Sequence, residues 1–359
     1  MTFLEKLKGW SLLLAVLTLF ITSCDPDEPT LVPTDDFSNG VIILNEGTFS
    51  EPSSLSFFFK DSLLVRNQVF STNNSGELLG TLAQSVYEWN DNLYIMVSNS
   101  NKIEVLDVET MEKKATITGI DLPRYFKPIS NDEAAVSYWS DNGLDGGVAF
   151  INLNDFSVTS TITTGNGPEN MLIKDNNLYV ANSGGFGMDS TISVIALADK
   201  TISKTITVSE GPAFIREVGG DLYVLSKGVY DPAIMALTDG GFGRISNDVL
   251  EADQTLNNNP DKFILGKTNG ASTDFFFLRS DGVYSGTISS SLGGLPVYSQ
   301  IIAGSFYGLG YDAEEDLLYV GDAGDFASPG KIIRYQTDGT MVDEYTVGVA
   351  PGSFLAIGR

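Results

Sequence analysis

The residues that could do chemistry in this sequence are aromatic, acidic and amide side chains that recur in short stretches rich in Gly and Pro. Histidine is absent, and the 359 residues include one cysteine. Catalytic triads, Cys-His dyads, zinc-histidine sites and Cys-x-x-Cys redox pairs are therefore excluded. The sequence contains neither a Gly-x-Ser-x-Gly elbow nor a P-loop. We predict a protein that binds a ligand, with no catalytic residue, no metal centre and no cofactor.

The candidate ligand-binding residues combine aromatic rings with polar neighbours on the same stretches. An aromatic ring offers a rigid apolar platform, and adjacent carboxylate, amide or guanidinium groups can hydrogen-bond the polar edge of a ligand. For Tyr138, Trp139, Tyr230 and Phe326, packing and ligand contact remain equal alternatives. The candidates are Asn45, Glu46, Arg124, Tyr125, Tyr138, Trp139, Asn170, Asn182, Phe186, Tyr230, Arg279, Tyr307, Asp322 and Phe326.

Two acid-rich stretches, 141–145 and 322–325, could supply oxygen ligands to calcium. Neither has the residue order of an EF-hand loop, so solvated loops are favoured over a structural ion. The chain as a whole is strongly acidic, with 46 Asp and Glu against 21 Lys and Arg and a net charge of −25. This charge would repel a phosphate backbone, so we predict no nucleic-acid partner.

The elements that must position these residues form a repeat. Tyr179 and Tyr223 stand at equivalent places 44 residues apart, and we expect such tyrosines to pack between repeats. Each repeat has room for four antiparallel strands separated by turn residues, which predicts a β-propeller blade. Extra length between later repeats is assigned to a polar insert near 244–260. The strand recognised in every repeat lies within 41–47, 92–98, 134–139, 177–183, 221–226, 274–279 and 316–322.

The ends of the repeat region predict how the ring closes. The first repeat lacks an inner strand, and residues 353–357 form a strand with no successor. We predict that this last strand completes the first blade, which leaves no open sheet edge. The fold class is thus all-β: one seven-bladed β-propeller over residues 41–359.

The segment before the propeller is predicted to contain a targeting signal and a tether. Lys6 and Lys8 precede an apolar run, 10–21, that is too short to span a bilayer, so residues 1–23 have the features of a signal peptide. The residues that end at Cys24 resemble a bacterial lipobox, which implies lipidation of Cys24. The alternative is an ordinary signal peptide with a chance cysteine. Residues 24–40 are rich in Asp, Glu and Pro and predict an extended tether.

A family resemblance follows from the repeats. Residues 177–183, Ile192–Ile195 and Gly211-Pro212 resemble YVTN-type β-propellers, and 41–357 resembles propeller lipoproteins of Bacteroidota through 43–49, 82–85, 119–125 and 342–354. The acidic segment after Cys24 resembles surface-export signals of the same bacteria. Understood members of that lipoprotein group are cell-surface cobalamin-binding proteins that pass corrinoids to a TonB-dependent outer-membrane transporter.

The resemblance therefore implies a lipoprotein anchored in the outer membrane and exposed at the cell surface. It would capture a small nutrient, with cobalamin or another corrinoid as the implied ligand and a TonB-dependent transporter as the implied partner. Without histidine, a corrinoid would be held by its periphery. The alternative is a scaffold that binds a protein or glycan and no small ligand; a metal-dependent lactonase is less favoured.

Overall fold

The computed structural model describes residues 36–290 and 294–358, most of which lie in β-strands. Seven four-stranded antiparallel sheets are present, together with one two-stranded hairpin. The inner strands of successive sheets contact one another in a closed ring. The predicted seven-bladed β-propeller is therefore confirmed. The predicted signal peptide and Cys24 lie outside the described residues.

The blades are given from the inner to the outer strand. The first contains β30 (Pro351–Gly358), β1 (Asn39–Asn45), β2 (Ser54–Phe59) and β3 (Leu64–Arg66). The second contains β4 (Ala83–Trp89), β5 (Asn92–Val97), β6 (Lys102–Asp107) and β7 (Lys113–Thr118). The third contains β8 (Pro123–Pro128), β9 (Glu133–Trp139), β10 (Gly146–Asn152) and β11 (Ser157–Thr163). The fourth contains β12 (Pro168–Lys174), β13 (Asn177–Asn182), β14 (Thr191–Ala196) and β15 (Thr201–Thr207).

The remaining blades follow the same order. The fifth contains β16 (Pro212–Val218), β17 (Asp221–Ser226), β20 (Gly240–Ser246) and β21 (Val249–Leu256). The sixth contains β22 (Asp261–Asn269), β23 (Ser272–Arg279), β24 (Gly282–Ser289) and β25 (Tyr298–Ala303). The seventh contains β26 (Gly308–Asp312), β27 (Leu317–Asp322), β28 (Lys331–Gln336) and β29 (Met341–Thr346). Outside the sheets lie helix α1 (Val69–Asn73), a 3-10 turn (Ser98–Ser100) and the hairpin of β18 (Tyr230–Asp231) and β19 (Ala236–Leu237).

Ring closure joins the two ends of the propeller in one blade. Strand β30 pairs antiparallel with β1, from Asn39 opposite Gly358 to Leu44 opposite Ser353. The predicted inner strand of the first blade is therefore confirmed. The propeller also begins slightly earlier than the sequence suggested, because Phe37 is fully buried and its ring lies 5.1 Å from that of Phe57.

Several hairpins at one end of the propeller have turns of only two residues. Asn90-Asp91 connects β4 to β5, Asp175-Asn176 connects β12 to β13, and Asn247-Asp248 connects β20 to β21. Both residues of each turn have positive φ, from 48° to 60°. This conformation is that of type I′ turns, for which Asn and Asp are suited and whose twist matches that of the strands. These two-residue turns all lie at the same end of the propeller.

The repeated tyrosines are buried between blades, as predicted. Tyr94, Tyr223 and Tyr319 are each 1% exposed and lie on the second strands of their blades. The Tyr94 ring stacks at 4.2 Å on Phe126 of the next blade. Contacts of this kind contribute about 0.5–1.5 kcal/mol each beyond the area they bury, so they fix the spacing of neighbouring blades.

The extra length of the later repeats lies elsewhere than predicted. Residues 244–260 were assigned to a polar insert, but they contain the end of β20 and the whole of β21, which are regular strands of the fifth blade. Part of the excess is instead the loop 227–239, which carries the β18–β19 hairpin. Polar alternation in an exposed outer strand was mistaken for a loop. No helix within the part of the chain that the structure describes has the length and hydrophobicity of a membrane span.

Candidate functional site

The two ends of the propeller differ in their loops. At the end opposite the two-residue turns, the inner strands begin and the longer loops from second to third strands lie, such as 183–190 and 227–239. We call this end of the central channel the mouth. Long loops on a rigid scaffold can place side chains without disturbing the strands, and all the predicted ligand-binding residues belong to strand ends, inner strands or loops on this side.

Exposed apolar side chains concentrate at the mouth. Sixteen large hydrophobic residues are exposed among those described, and nine of them lie on loops between second and third strands. A concentration of exposed apolar surface on one face is typical of an interaction site. The nine are Phe49, Leu144, Phe186, Met188, Tyr230, Ile234, Met235, Leu237 and Phe326.

On the side of the third and fourth blades, an exposed ring stands above a charged pair. Phe186 is 77% exposed and contacts Trp139 edge to face, with 5.5 Å between ring centroids. The Arg124 guanidinium lies 4.1 Å from the centre of the Trp139 ring and donates to Glu169, with 2.7 Å between Nη2 and Oε1. The indole Nε1 donates to the carbonyl of Pro168 at 3.1 Å. Trp139 is thus held in place by contacts with Phe186, Arg124 and the carbonyl of Pro168.

On the side of the seventh and first blades, a second exposed ring stands above a second polar contact. Phe326 is 49% exposed and contacts Tyr307 edge to face at 5.1 Å. The Tyr307 hydroxyl donates to the Glu46 carboxylate, and the Lys262 ammonium lies 5.7 Å from the Tyr307 ring centre. The mouth therefore has two aromatic pairs, each resting on charged side chains at the start of the channel.

The charged side chains at the mouth interact with one another. Burial alone would lower the pKa of Arg124, but Glu169 raises it, with a smaller contribution from Glu46. Burial opposes ionisation of Asp261, yet Lys227 and Lys262 hold the pKa of its carboxyl below the ordinary value. These groups remain charged near neutral pH and can hydrogen-bond a polar ligand edge.

Burial raises the pKa of both tyrosines that lie among these charges. For Tyr125 the increase comes first from desolvation and then from Glu169, and for Tyr307 from desolvation and then from Glu46. Both phenols are therefore protonated at physiological pH and can donate a hydrogen bond. Gln84 Nε2 lies 3.4 Å from the Tyr125 hydroxyl, which places this ring beside the second blade.

Two predicted contact residues are instead buried within blades. Asn45 and Asn182 are both 0% exposed. Asn182 Nδ2 donates to Thr191 Oγ1 and Ser193 Oγ at 3.0 Å, and Asn45 makes the equivalent bonds to serines of the first blade. Their amides also lie within 2.7 Å of the Cβ positions that would arise at Gly165 and Gly348. This packing argues against ligand contact at Asn45 and Asn182.

Replacing Asn182 with Ala should therefore destabilise the propeller. The change leaves the hydroxyls of Thr191 and Ser193 without their buried donor, and we expect the free energy of unfolding to fall by about 1–3 kcal/mol. Urea unfolding measures the difference. Asn154→Ala is the matched control, because Asn154 is exposed and its loss should cost less than ~0.5 kcal/mol. Equal effects of the two variants would contradict a structural role for Asn182.

The other predicted residues are distributed around the face. Tyr138 is half-buried and packs against the apolar cluster between the second and third blades. The Arg279 guanidinium lies 4.6 Å from the Tyr284 ring centre in the sixth blade. Tyr230 is 56% exposed on the hairpin, and Asn170 lies on the inner strand β12.

The acid-rich loops are shaped by local hydrogen bonds. Asp322 Oδ1 accepts from the Gly324 amide at 2.8 Å, and Asp325 Oδ1 accepts from Ala327 and Ser328. Asn142 Oδ1 accepts from the backbone amide of Leu144 at 2.8 Å. Such bonds are typical of Asx turns. Among the described residues, no group of three or more acidic or cysteine side chains is placed to hold a metal ion.

Several charged residues of the mouth were not among the predicted set. Glu169, Asp261 and Lys262 all lie in the first two residues of an inner strand. The same position holds Arg124, which was predicted. A charged residue directly after the loop that opens a blade was therefore the available signal, and comparing equivalent positions across repeats would have found all of them.

Comparison with known proteins assigns the chain to a family. A family model described as "Domain of unknown function (DUF5074)" matches residues 39–237, which is more than half of the chain. The chain belongs to the DUF5074 family. The match covers the first blade of this DUF5074 protein apart from its inner strand β30, the second to fourth blades and part of the fifth, and it includes both Trp139 and Phe186. No curated protein matches the sequence.

Solved structures similar to this DUF5074 protein are distant in sequence. A functionally unknown protein from Desulfotomaculum acetoxidans is 13% identical, with a TM-score of 0.67 over 90% of this chain and 100% of that one. A quinonprotein alcohol dehydrogenase-like protein from Bacteroides thetaiotaomicron is 15% identical, with a TM-score of 0.64 over 89% and 79%. Apo AztD from Citrobacter koseri is 10% identical, with a TM-score of 0.50 over 89% and 98%. These similarities support the fold alone.

Proposed function

We propose that the mouth captures a small ligand that has an apolar face and polar groups at its edge. The observation that carries this proposal is the pairing of exposed rings with charged groups: Phe186 and Trp139 above Arg124, and Phe326 and Tyr307 above Glu46. Aromatic platforms provide apolar contact area, and the charged groups beneath them fix orientation. The rigid blades hold both sets in place before the ligand arrives, which lowers the entropic cost of binding.

We propose a corrinoid, such as cobalamin, as this ligand. A corrin ring has broad apolar faces and amide groups around its edge, which suits an apolar rim above hydrogen-bonding side chains. The chain has no histidine, so the protein would contact the ring and its amides and would leave cobalt without an imidazole ligand. The sequence resemblance to cobalamin-binding propeller lipoproteins of Bacteroidota supports the same ligand.

We further propose where the capture takes place. The lipobox-like residues before Cys24 and the acidic segment after it favour a lipoprotein of the outer membrane, exposed at the cell surface. A protein anchored there could pass its ligand to a TonB-dependent transporter beside it. The net charge of −25 suits an exposed and soluble surface.

A titration tests the proposed ligand. The purified full chain is titrated with cyanocobalamin and with cobinamide, followed by tryptophan fluorescence and by heat. We expect saturation at micromolar ligand or below, with quenching that reports Trp139. Absence of saturation with both compounds would rule out the corrinoid.

Replacing Phe186 with Ala should weaken that binding. Phe186 contacts Trp139 at the mouth, and an aromatic side chain that a bound ligand covers contributes about 1.4 kcal/mol or more, so the dissociation constant should rise at least about tenfold. The fold should persist because the ring is 77% exposed. Val249→Ala is the control, since Val249 is also exposed but adjoins a two-residue turn at the opposite end. Equal affinities of both variants would place the ligand elsewhere.

A protein-binding scaffold is the second candidate, and one feature favours it. The β18–β19 hairpin carries Ile234, Met235 and Leu237, which are 61%, 79% and 48% exposed. Apolar residues on a projecting hairpin suit a protein partner better than a ligand in the channel. Crosslinking in native membranes separates the candidates. A TonB-dependent transporter as the main crosslinked partner supports uptake, whereas another surface protein, with no corrinoid saturation, supports the scaffold.

A further inference from the structure

A second polar site lies along the channel wall, beyond the mouth. A cavity of about 350 Å³ is lined by the inner strands of the first five blades. Its charged lining residues are Lys127 on β8 and Arg216 on β16. Lys127 follows Arg124 by three residues, so it lies about 10 Å further along the strand at ~3.3 Å per residue. The cavity is therefore distinct from the aromatic pairs of the rim.

The charge of this cavity is opposite to that of the protein. Acidic residues outnumber basic ones by 46 to 21 over the chain, yet no Asp or Glu lines this cavity. Its other polar lining groups include the side chains of Tyr125, Asn170 and Ser353, which can donate hydrogen bonds, whereas the Ser85 hydroxyl donates to the carbonyl of Arg124. The wall thus combines two cations with neutral donors.

Neither cation is neutralised by a carboxylate in the structure. Arg216 Nη1 donates to Asn170 Oδ1 and to the carbonyl of Ile215, both at 2.8 Å. These acceptors are uncharged, and within residues 36–290 and 294–358 neither Arg216 nor Lys127 forms an ion pair with Asp or Glu. By contrast, Arg124 at the mouth has Glu169 as its partner.

The enclosure of these two cations has an electrostatic cost. Burial lowers the pKa of the Arg216 guanidinium to about 10, and burial together with Arg216 lowers the pKa of Lys127. Two like charges held in one enclosed space repel each other and lose hydration. A bound anion would remove both penalties, because it would pair with each cation and accept hydrogen bonds from the neighbouring donors.

We propose that the channel cavity between Lys127 and Arg216 is a binding site for a small oxyanion, a phosphate or carboxylate group. A guanidinium presents two parallel N–H donors that match the oxygens of such a group, and the ammonium supplies a second charge. Asn170 is held by Arg216, so its amide orients the guanidinium within the wall. The inference rests on residues of the inner strands, and the lining includes no member of the two aromatic pairs of the mouth.

Thermal unfolding of the full chain tests this site. Sodium phosphate and, separately, sodium succinate are added at constant ionic strength against sodium chloride. We expect at least one of them to raise the unfolding midpoint by about 2 °C or more, because a ligand that binds only the folded state stabilises it. A response to phosphate alone assigns a phosphate site, and a response to succinate alone assigns a carboxylate site. No response to either compound overturns the proposal.

Substitutions test whether the response to the anion arises in the channel cavity. Arg216→Gln and Lys127→Gln should each weaken the response at least tenfold in anion concentration, whereas Arg244→Gln and Lys204→Gln should keep it. Arg244 pairs with Asp221 in the same blade as Arg216, and Lys204 lies exposed on β15. An unchanged response in the channel variants would overturn the proposal. Should Arg216→Gln fail to fold, Lys127→Gln alone decides.

The urea unfolding midpoint distinguishes an anion-binding role of Lys127 from a purely structural one. Without added anion, Lys127→Met should raise the urea midpoint, because it removes an unpaired enclosed charge and keeps most of the side-chain volume. A merely structural lysine would give the opposite result. A lower midpoint for Lys127→Met would therefore contradict the assignment of Lys127 to an anion site.

Discussion

A chain that ends at Ala350 should lose the cooperative unfolding of the propeller. Its missing strand, β30, supplies side chains to two apolar clusters. Leu355 and Ile357 pack against the cluster shared by the first and second blades, and Phe354 packs beside Tyr319 of the seventh blade. Ile357 is buried, and Phe354 and Leu355 are half-buried. Loss of one buried Ile side chain costs about 2–5 kcal/mol, and together with the contacts of the two half-buried residues this loss is a large part of the ~5–15 kcal/mol that stabilises a typical domain.

The backbone makes the same strand essential. Strand β1 is hydrogen-bonded on one side to β2 and on the other to β30. Without β30, β1 becomes an open inner edge, which favours pairing with other chains. We therefore expect the shortened chain to aggregate or to unfold without a sharp transition, as measured by circular dichroism during heating and by light scattering.

A matched deletion and a peptide control this experiment. A chain that ends at Ile357 keeps the pairing of Gly40 with Ile357 and should unfold as the full chain does. A synthetic peptide of residues 350–359, added in excess, should restore part of the transition by pairing with β1. An unaltered transition of the chain that ends at Ala350 would show that closure by β30 is dispensable.

Replacing Arg124 with Met should lower the free energy of unfolding by about 3–5 kcal/mol, because it leaves a buried carboxylate without its cation. The Glu169 side chain is 3% exposed, and Arg124 Nη2 and Nε donate to its Oε1 at 2.7 and 3.2 Å. The substitution also removes the guanidinium from the Trp139 ring, where a cation contributes about 0.5–2 kcal/mol. Urea unfolding of both proteins measures the loss.

Two further variants distinguish the effect of the uncompensated Glu169 charge from that of lost packing. Glu169→Gln in the Arg124→Met background removes the uncompensated charge and should recover part of the loss. Lys331→Met is the surface control, since the Lys331–Glu344 pair is equally close, at 2.6 Å, but has both side chains more than 40% exposed. An exposed pair contributes about 0–1 kcal/mol. The argument fails if Arg124→Met costs no more than Lys331→Met.

The fold could be predicted because its determinants are local. Each second strand is marked by a short run of apolar residues that follows a turn, as in residues 175–182, and the strand does form there. Ring closure could be predicted because one strand was missing at the start of the repeats and one was left over at the end. The exposed outer strand β21 was misassigned because polar residues dominate its sequence, and in an exposed strand the apolar signal is weak.

The candidate site was harder to predict, for a reason visible in the inner strands. At their mouth end, β8, β12, β16 and β22 each contain a shift in register near the first residues. A bulge breaks the alternation of side chains between faces, so counting by two from the loop does not show which residues face the channel. The sequence pattern indicates Arg124 through its aromatic neighbour Tyr125, whereas Glu169, at the equivalent place in β12, has no aromatic neighbour.

The sequence pattern also does not predict that Asn45 and Asn182 are buried. Both stand at the end of a second strand, where a polar residue indicates a loop. In the structure, Gly348 and Gly165, which lie in the loops before the inner strands β30 and β12 of the same blades, approach these amides closely. Because the approach joins separate segments of the chain, only the assembled blade reveals it.

The contrast between the two ends of the propeller bears on how this scaffold can be modified. An insertion into Asn90-Asp91 or Asp175-Asn176 would replace a turn that sets the register of its hairpin, and a shift of one residue would turn the apolar side chains of the strand toward solvent. The loops at the other end, such as 227–239, set no such register. Affinity tags, fluorophores or altered recognition segments therefore belong in the long loops, and a library confined to them would sample new ligands on an unchanged frame.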